Sequence, residues 1–249
     1  MTSLYTPAYF ASGLFDQNYD ILAELIIAGY RPRTAIDVGC GPGMLSQALA
    51  RRGIVVAALD GHGRPDFTGL TATFRPCDLN SLESLHQVSR GLPGQFDVAI
   101  CLEVAEHLKP EMSDELIAFL CGLAPVVVFS AAVPLQGGNG HINCQPREAW
   151  HDRFARHGYR LAHRLRPQLQ GDRSIAPWYR YNLLDYVKAP VPPTDADALA
   201  RSMLLCESTL ASDCYAQGDE LNRLRTLLNY KPVRAYLGLR AWAKRLLRR

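Results

Sequence analysis

Short runs of apolar residues alternate with amphipathic segments along the first 190 residues of the chain. The apolar runs are bounded by glycine, proline or polar residues and predict strands at 34–38, 54–59, 73–75, 96–102 and 126–130. Segments with helical spacing lie between them and predict helices at 20–30, 44–52, 81–90, 113–121 and 146–157. Two further segments, 159–165 and 178–187, are predicted to be β-rich. Strands that alternate with helices favour an α/β fold with a mostly parallel, doubly wound sheet.

A proline-rich stretch, Lys188–Asp195, separates this region from the rest of the chain. Beyond it, residues 196–228 and 235–248 have helical patterns, which are interrupted at Asn229–Pro232. We therefore predict two parts: a domain over residues 1–190, and a helical extension over residues 191–249 that ends in a basic amphipathic tail.

The composition is that of a globular protein, with 48% hydrophobic and 20% charged residues. No apolar run reaches the roughly 18 residues of a transmembrane helix. The N-terminus lacks the cationic patch and apolar stretch of a secretory signal. The seven cysteines are scattered without a CxxC pair, which favours reduced thiols over disulfides or a structural zinc site. We therefore expect a cytoplasmic protein.

Charge is distributed unevenly along the chain. The net charge is +3, and residues 231–249 carry seven Lys/Arg and no acid, so the remaining chain has a net charge of −4. An acidic body disfavours nucleic acid as a partner. Apolar and basic residues alternate in the tail, as in helices that lie on an anionic membrane surface. Two interpretations of the tail stay open: peripheral contact with the inner face of a membrane, and docking on a neighbouring subunit.

A glycine-rich turn, Asp37–Gly43, follows the first predicted strand and precedes a helix. Glycines let the backbone approach a ligand closely, and a helix N-terminus offers free N–H groups. Asp60 ends the second predicted strand, where a carboxylate can accept both hydroxyls of a ribose. Asp78 follows the third strand and can receive an adenine amine, although a helix N-cap is its alternative role. A dinucleotide site is disfavoured, because Met44 stands where the GxGxxG turn needs a small residue.

Four segments in order resemble the motifs of class I S-adenosylmethionine-dependent methyltransferases: IDVGCGPG at 36–43, the acidic Asp60, CDL at 77–79 and FDVAICLEVAEHL at 96–108. The resemblance covers roughly residues 30–190. It implies a Rossmann-like, seven-stranded sheet, S-adenosylmethionine as the cofactor and S-adenosylhomocysteine as the product. The residues that it assigns to the cofactor are Asp37, Gly39, Cys40, Gly41, Asp60, Gly61, Asp78, Leu79, Leu102 and Glu103.

Glu103, Glu106 and His107 are spaced i, i+3 and i+4, so they can share one side of a helical turn. Carboxylates and an imidazole can bind Mg²⁺ or Mn²⁺. The spacing resembles that of small-RNA 2′-O-methyltransferases and ubiquinone-pathway O-methyltransferases, in which a later histidine, here His141, completes a metal site. Similar stretches occur in methyltransferases without a metal. We therefore assign Glu106 and His107 to the catalytic pocket and predict no metal, with Mg²⁺ or Mn²⁺ as the alternative.

A loop with several glycines, at residues 129–145, follows the fifth predicted strand. It lies at the carboxyl edge of the sheet, where open α/β folds bind ligands. His141, Asn143 and Gln145 supply polar groups there. Methyl transfer to a hydroxyl requires removal of a proton, and histidine titrates near neutrality. We predict His141 as the general base; the alternative is a histidine that bonds the loop backbone.

The segment WYRYN at 178–182 and the pattern GGxGHIN resemble a bacterial methyltransferase subgroup associated with surface glycans. We therefore predict O-methylation of a sugar hydroxyl on a glycan or a glycosylated small molecule. The alternatives are a metal-dependent RNA 2′-O-methyltransferase, another small-molecule O- or N-methyltransferase, and a non-catalytic subunit that binds the cofactor. Residues that can face the acceptor or pack in the core are Trp150, Trp178, Tyr179, Tyr181 and Asn182.

Overall fold

A computed structural model describes residues 5–10, 13, 17–189 and 195–229 of the chain. The strands of these residues form one seven-stranded sheet, in the order β3-β2-β1-β4-β5-β7-β6. The strands are β1 (Thr34–Val38), β2 (Val55–Asp60), β3 (Ala72–Pro76), β4 (Val98–Leu102), β5 (Val126–Ser130), β6 (Tyr159–Leu161) and β7 (Leu184–Lys188). The helices are α1 (Pro7–Phe10), α2 (Tyr19–Tyr30), α3 (Met44–Ala50), α4 (Leu82–Arg90), α5 (Ser113–Leu123), α6 (Arg147–Arg156), α7 (Arg166–Leu169), α8 (Pro177–Asn182) and α9 (Asp195–Asn229). The predicted α/β, doubly wound class is confirmed.

The strand order reverses between β1 and β4, and this reversal positions the candidate site. β1 pairs in parallel with both β2 and β4, so Asp37 lies opposite Ala58 on one side and Ile100 on the other. β5 is also parallel, whereas β7 pairs antiparallel with β5 and with β6. The connections that leave β1 and β4 run to opposite sides, which opens a crevice at the carboxyl ends of these strands.

Both faces of the sheet are covered by apolar side chains. One face packs against α4, α5 and α6, and the other against α2, α3 and α8. Adjacent residues of β1 belong to different layers: Ile36 is buried in the first and Ala35 in the second. A strand that is buried on both faces has a continuous apolar run. For this reason β1, β2, β4 and β5 lie close to their predicted positions. The edge strand β3 is only half-buried or exposed along its length, and the sequence predicted a shorter run there.

The prediction of strand over 178–187 was wrong for its first half. Residues Pro177–Asn182 form the helix α8, and the strand β7 begins at Leu184. Proline at the first position of a helix loses no intrahelical hydrogen bond and has a suitable φ, so the segment starts as a helix despite its aromatic residues. The strand predicted over 159–165 ends at Leu161. Beyond it the chain bends, with His163 at φ 53°.

The first part of α9 packs against α6. Leu204 is buried, and the Ser208 hydroxyl accepts a hydrogen bond from the Arg147 backbone N–H at 2.9 Å. Glu207 pairs with the buried Arg166 guanidinium at 2.6 Å. The predicted tail helix and most of the predicted linker lie outside the described residues, so the division of the chain near residue 190 stays a prediction.

Two further findings bear on the composition. Each of the seven cysteines is free of a disulfide bond. Within the described ranges, no helix combines the length and the apolar character needed to cross a membrane.

Candidate active site

A cavity of about 420 Å³ opens in the crevice between the β1 and β4 ends of the sheet. Every residue that the sequence assigned to the cofactor or to catalysis lines this cavity, while the role of each stays a prediction. These residues are Asp37, Gly39, Cys40, Gly41, Asp60, Gly61, Asp78, Leu79, Leu102, Glu103, Glu106, His107 and His141.

The glycine-rich turn after β1 forms one wall. Gly39 has φ 80°, and a Cβ built there would lie 2.4 Å from a methyl carbon of Val104, so only glycine lets the two loops pack this closely. The Asp37 carboxylate is buried and accepts a hydrogen bond of 2.5 Å from the Ser46 hydroxyl. Burial raises the pKa of Asp37 to about 6.

Asp60 at the end of β2 connects two loops of the cavity. One carboxylate oxygen accepts from the Gly41 N–H at 2.9 Å. The other oxygen accepts from the backbone N–H of His62 at 2.7 Å and from that of Gly63 at 2.6 Å. A carboxylate has about four lone-pair sites, so Asp60 keeps the capacity to accept from the hydroxyl groups of a ligand.

Asp78 is exposed and lies at the far side of the cavity. Its carboxylate accepts from the Asn80 N–H at 2.9 Å. The N-cap of α4 is Ser81, whose hydroxyl accepts from the Ser84 N–H at 3.3 Å. The alternative role of Asp78 as a helix cap is therefore wrong, and ligand binding remains as its prediction.

The shared helical turn predicted for Glu103, Glu106 and His107 is wrong. Glu103 has φ 53° at the end of β4, and its N–H donates to the backbone oxygen and the hydroxyl of Ser130, both at 3.0 Å. A single 3₁₀ turn, Ala105–His107, follows. The chain thus bends between Glu103 and Glu106, where the spacing alone had indicated a regular helix.

Glu106 is fully buried, and neither of its carboxylate oxygens has a hydrogen-bond partner among the described residues. Burial and the neighbouring Glu103 raise its pKa well above the usual range. One ligand atom each of Glu106, His107 and His141 lies within 4.8 Å of the other two. A buried carboxylate beside two imidazoles is a donor set that suits a divalent transition metal.

The two histidines are neutral near pH 7. Burial and the adjacent His141 lower the pKa of His107 to about 4. Burial also lowers the pKa of His141, whose ring centre lies 4.9 Å from that of His107. Nδ1 of His141 lies 3.7 Å from the Cys144 sulfur, whereas the contact with the loop backbone belongs to His107, at 3.3 Å from the Gly140 oxygen. The neutral rings can accept a proton.

Asn143 and Gln145 do not line the cavity, which corrects the expectation that they supply polar groups to a ligand. The Asn143 amide donates to the Ala105 oxygen at 3.1 Å and to the Ser113 hydroxyl at 2.9 Å. Gln145 donates to the Ser113 hydroxyl and to Asn143 at 3.0 and 2.7 Å. Both side chains therefore hold the loop in place from behind.

The aromatic residues that can either face the acceptor or pack in the core occupy different positions in the structure. Trp150 is buried in the core, with its ring 5.3 Å from Phe129. Trp178 and Tyr179 line the cavity. Tyr181 is exposed and lies outside this lining.

Sequence reasoning missed an aromatic group from the N-terminal segment. The rings of Tyr5, Tyr9 and Phe10 line the cavity, together with Tyr19 at the start of α2. The Tyr5 ring stacks on His62 at 5.0 Å between centres. Five aromatic residues within the first 19 were a visible signal, but nothing in their spacing connects them with the carboxyl edge of the sheet.

No family model matches the chain. Over 96 aligned residues it is 40% identical to the ubiquinone biosynthesis O-methyltransferase of Pseudomonas paraeruginosa. This alignment covers 34% of this chain and 38% of that protein. The protein of the same name from Methylococcus capsulatus is 35% identical over 103 residues, or 37% of this chain and 39% of the relative. The chain thus spans about two fifths of the length of these curated relatives.

Among solved structures, an O-methyltransferase family protein from Burkholderia thailandensis matches with a TM-score of 0.52 at 17% identity, over 73% of this chain and 59% of that protein. At this identity the likeness concerns the fold. The chain has the Rossmann-like fold of class I S-adenosylmethionine-dependent methyltransferases, and the resemblance inferred from its four motifs is confirmed. The narrower resemblance to a glycan-associated subgroup stays a prediction.

Proposed function

We propose that the protein is an S-adenosylmethionine-dependent methyltransferase that acts on a hydroxyl group. One observation carries the proposal: two sets of residues line one cavity, the first being the acidic residues at the ends of β1 and β2 and the second being Glu106, His107 and His141. The first set suits a nucleoside cofactor and the second suits the acceptor.

The residues around Asp60 fit the cofactor. Its carboxylate is held by three backbone N–H groups and keeps lone pairs for the two ribose hydroxyls. Asp78 stands where an exocyclic amine can donate to it, and Asp37 borders the methionine portion. When bound, S-adenosylmethionine supplies a methyl group on a positively charged sulfur.

On the acceptor side, His141 is the proposed general base. A neutral imidazole can take the hydroxyl proton as the acceptor oxygen attacks the methyl carbon. The cavity walls hold the acceptor in line with the carbon–sulfur bond, and positioning of this kind supplies much of the rate in a direct displacement.

The charge of the lining favours an acceptor without phosphate. Five carboxylates line the cavity, and among the described lining residues none is Lys or Arg. A phosphate in this field is disfavoured, which argues against RNA. Aromatic rings such as Trp178 and Tyr179 stack well on the apolar face of a sugar. We therefore propose a sugar hydroxyl of a glycan or a glycosylated small molecule.

Calorimetric titration with S-adenosylmethionine and S-adenosylhomocysteine tests the cofactor. We expect Asp60→Ala to weaken binding by roughly 10- to 100-fold, because charge-assisted hydrogen bonds contribute about 1.5–3 kcal/mol. Asp219→Ala, an exposed aspartate of α9, is the matched control and should bind like the wild type. Absence of binding by the wild type would leave the fold standing and refute the proposed activity.

An acceptor screen follows, read out as S-adenosylhomocysteine formation. Neutral sugars and glycolipids are the first class. Intermediates of ubiquinone biosynthesis are the second class, because the curated relatives carry that name. Turnover of ubiquinone intermediates or of RNA, without turnover of any sugar or glycolipid, would refute the proposed acceptor.

A metal-assisted form of the same reaction is the second candidate, and it is favoured by the cluster of the buried Glu106 carboxylate with His107 and His141. These three residues would hold the ion, which would lower the pKa of a bound hydroxyl. Imidazole ligands favour Mn²⁺, Fe²⁺ or Zn²⁺ over Mg²⁺. Metal analysis of the purified protein, and Mn²⁺ titration of wild type against Glu106→Gln, provide the test. Full activity after exhaustive chelation, with no copurified metal, would refute it.

A further inference from the structure

A buried amide lies directly behind the acceptor side of the cavity. Asn182, the last residue of α8, is only 3% exposed. Its carbonyl oxygen accepts from the Arg147 guanidinium at 2.9 Å. Its nitrogen donates to the Gln136 side-chain oxygen at 2.9 Å and to a Glu103 carboxylate oxygen at 3.4 Å. Asn182 thus lies between one buried cation and two residues of the cavity wall.

Arg147 fixes the orientation of this amide. A guanidinium can only donate hydrogen bonds, so the side-chain oxygen of Asn182 must face it. The two amide hydrogens then point away from Arg147, toward Gln136 and Glu103, which both offer acceptors. The direction of the amide follows from the partners themselves.

Arg147 is itself anchored away from the cavity. It is 5% exposed at the start of α6, and its backbone N–H donates to Ser208 of α9. No carboxylate of the described residues lies within salt-bridge distance of its guanidinium. A buried charge requires polar partners. The Asn182 oxygen supplies one, and the amide connects the guanidinium with the Glu103 carboxylate beyond it.

The two residues that Asn182 contacts belong to separate segments of the wall. Glu103 follows β4 with a left-handed backbone, and Gln136 begins the glycine-rich loop after β5, where its side-chain oxygen also accepts from the Val133 N–H at 3.2 Å. We propose that Asn182, oriented by Arg147, is a positioning residue that fixes these two segments relative to each other for methyl transfer. The inference rests on the proposed function.

Asn182→Asp is the sharpest test, because it keeps the size of the side chain and a partner for Arg147 but removes both donated hydrogen bonds. We expect hydrogen exchange in residues 131–141 to accelerate by about tenfold or more, because the loop loses the hydrogen bond that joins Gln136 to Asn182. Binding of S-adenosylhomocysteine should stay within about twofold, and Tm should fall by roughly 4–8 °C because two buried hydrogen bonds are lost, with the fold retained. Turnover with the acceptor found in the screen should fall by about tenfold or more through kcat.

Three further variants complete the test. Arg147→Met should impair turnover, and Arg147→Lys, which can still donate to the Asn182 oxygen, should restore part of it. Asn222→Ala, on the exposed part of α9, is the control and should behave like the wild type.

The outcomes separate the two proposals. Unchanged hydrogen exchange of the loop in Asn182→Asp would show that Asn182 does not hold the loop in place. Faster exchange with unchanged turnover would show that this contact does not position the segments for methyl transfer. If the wild type does not bind S-adenosylhomocysteine, the proposed function fails, while the exchange measurement still decides whether Asn182 joins the two segments.

Discussion

Two aspartates that line the cavity have different surroundings. The Asp60 carboxylate accepts hydrogen bonds from three backbone N–H groups. Asp37 receives one hydroxyl and is buried, so its neutral form is favoured. Because its pKa of about 6 lies below neutral pH, Asp37 is ionised near pH 7.5 despite its burial, and a cationic ligand would stabilise that charge. Asp37 therefore combines a cost to the free protein with a gain on binding.

The cost of Asp37 can be measured through pH. Because its folded pKa of about 6 exceeds the usual value of 3.8, ionisation reduces the free energy of unfolding as pH rises from about 4 to 6. Two pKa units correspond to roughly 2–3 kcal/mol above pH 6. We expect Asp37→Asn to raise the Tm of the ligand-free protein by about 5 °C near pH 7.5 and to leave it unchanged near pH 4. Equal shifts at both pH values would contradict the assignment.

His141 carries the prediction for proton transfer. Its ring lies in the cavity and is neutral near pH 7, as a base must be. General bases contribute roughly 10²–10⁴-fold, so we expect His141→Ala to lower kcat by at least about 100-fold with unchanged cofactor affinity. His86→Ala, on the exposed side of α4, serves as the control. A kcat within about threefold of wild type would sink the role of His141 as base.

At the scale of elements, the loops after β1 and β2 are packed backbone to backbone. A Cβ built on Gly63 would lie 2.0 Å from the Gly41 carbonyl oxygen. A backbone atom cannot move aside cheaply, so we expect Gly63→Ala to separate the loops and to break the hydrogen bonds of Asp60. Cofactor affinity should fall by about tenfold or more, measured by calorimetry.

Gly122→Ala is the matched control for this prediction. Gly122 lies in α5 with open space around its Cα, so alanine should stabilise the helix by roughly 0.5–1 kcal/mol and leave binding unchanged. Wild-type affinity in Gly63→Ala would show that the loops can separate without harm to the Asp60 site.

The sequence predicted those strands whose continuous apolar pattern reflects burial on both faces of the sheet. The parallel strands and the glycine turn after β1 were found because continuous apolar runs and Asp37–Gly43 leave few alternatives. The helix α8 was missed, since its aromatic side chains favour a strand locally while Pro177 starts a helix. The left-handed backbone of Glu103 has no local signal, because it follows from hydrogen bonds to Ser130, 27 residues away.

In the candidate site, too, the features with a local sequence pattern were predicted and those that depend on distant contacts were missed. Residues that follow parallel strands line one cavity, because strand ends meet at one sheet edge, and their individual roles stay predictions. The N-terminal rings and Arg147 were missed, since their positions depend on contacts between distant segments. Arg147, the first residue of a polar helix, has the pattern of an exposed residue and is buried by α9.

At the scale of the whole molecule, the basic tail carries a prediction about location. Residues 231–249 lie outside the described residues, but their seven cationic side chains and interspersed apolar residues suit an anionic surface. We expect the full chain to sediment with phosphatidylglycerol vesicles, and this binding to weaken with salt. Deletion of residues 232–249 should abolish it.

Two controls sharpen the vesicle measurement. Neutral phosphatidylcholine vesicles should retain little protein, because the electrostatic part of the attraction is absent. Trp242→Ala keeps every charge and should weaken binding only partly. Binding that survives the deletion would refute a membrane role for the tail. A lower oligomeric state of the deleted chain in solution would instead indicate that the tail docks on a neighbouring subunit.

The strand order also separates the two halves of the cavity along the chain. Asp37, Asp60 and Asp78 precede residue 91, whereas Glu106 and His141 follow residue 97. The short turn between α4 and β4 is therefore a natural crossover point for recombination. A gene joined there to the second half of a relative would keep the three aspartates and would receive new residues on the acceptor side, together with new counterparts of Leu102 and Glu103. Acceptor preference can therefore change in such a lineage while the proposed aspartate contacts with the cofactor stay.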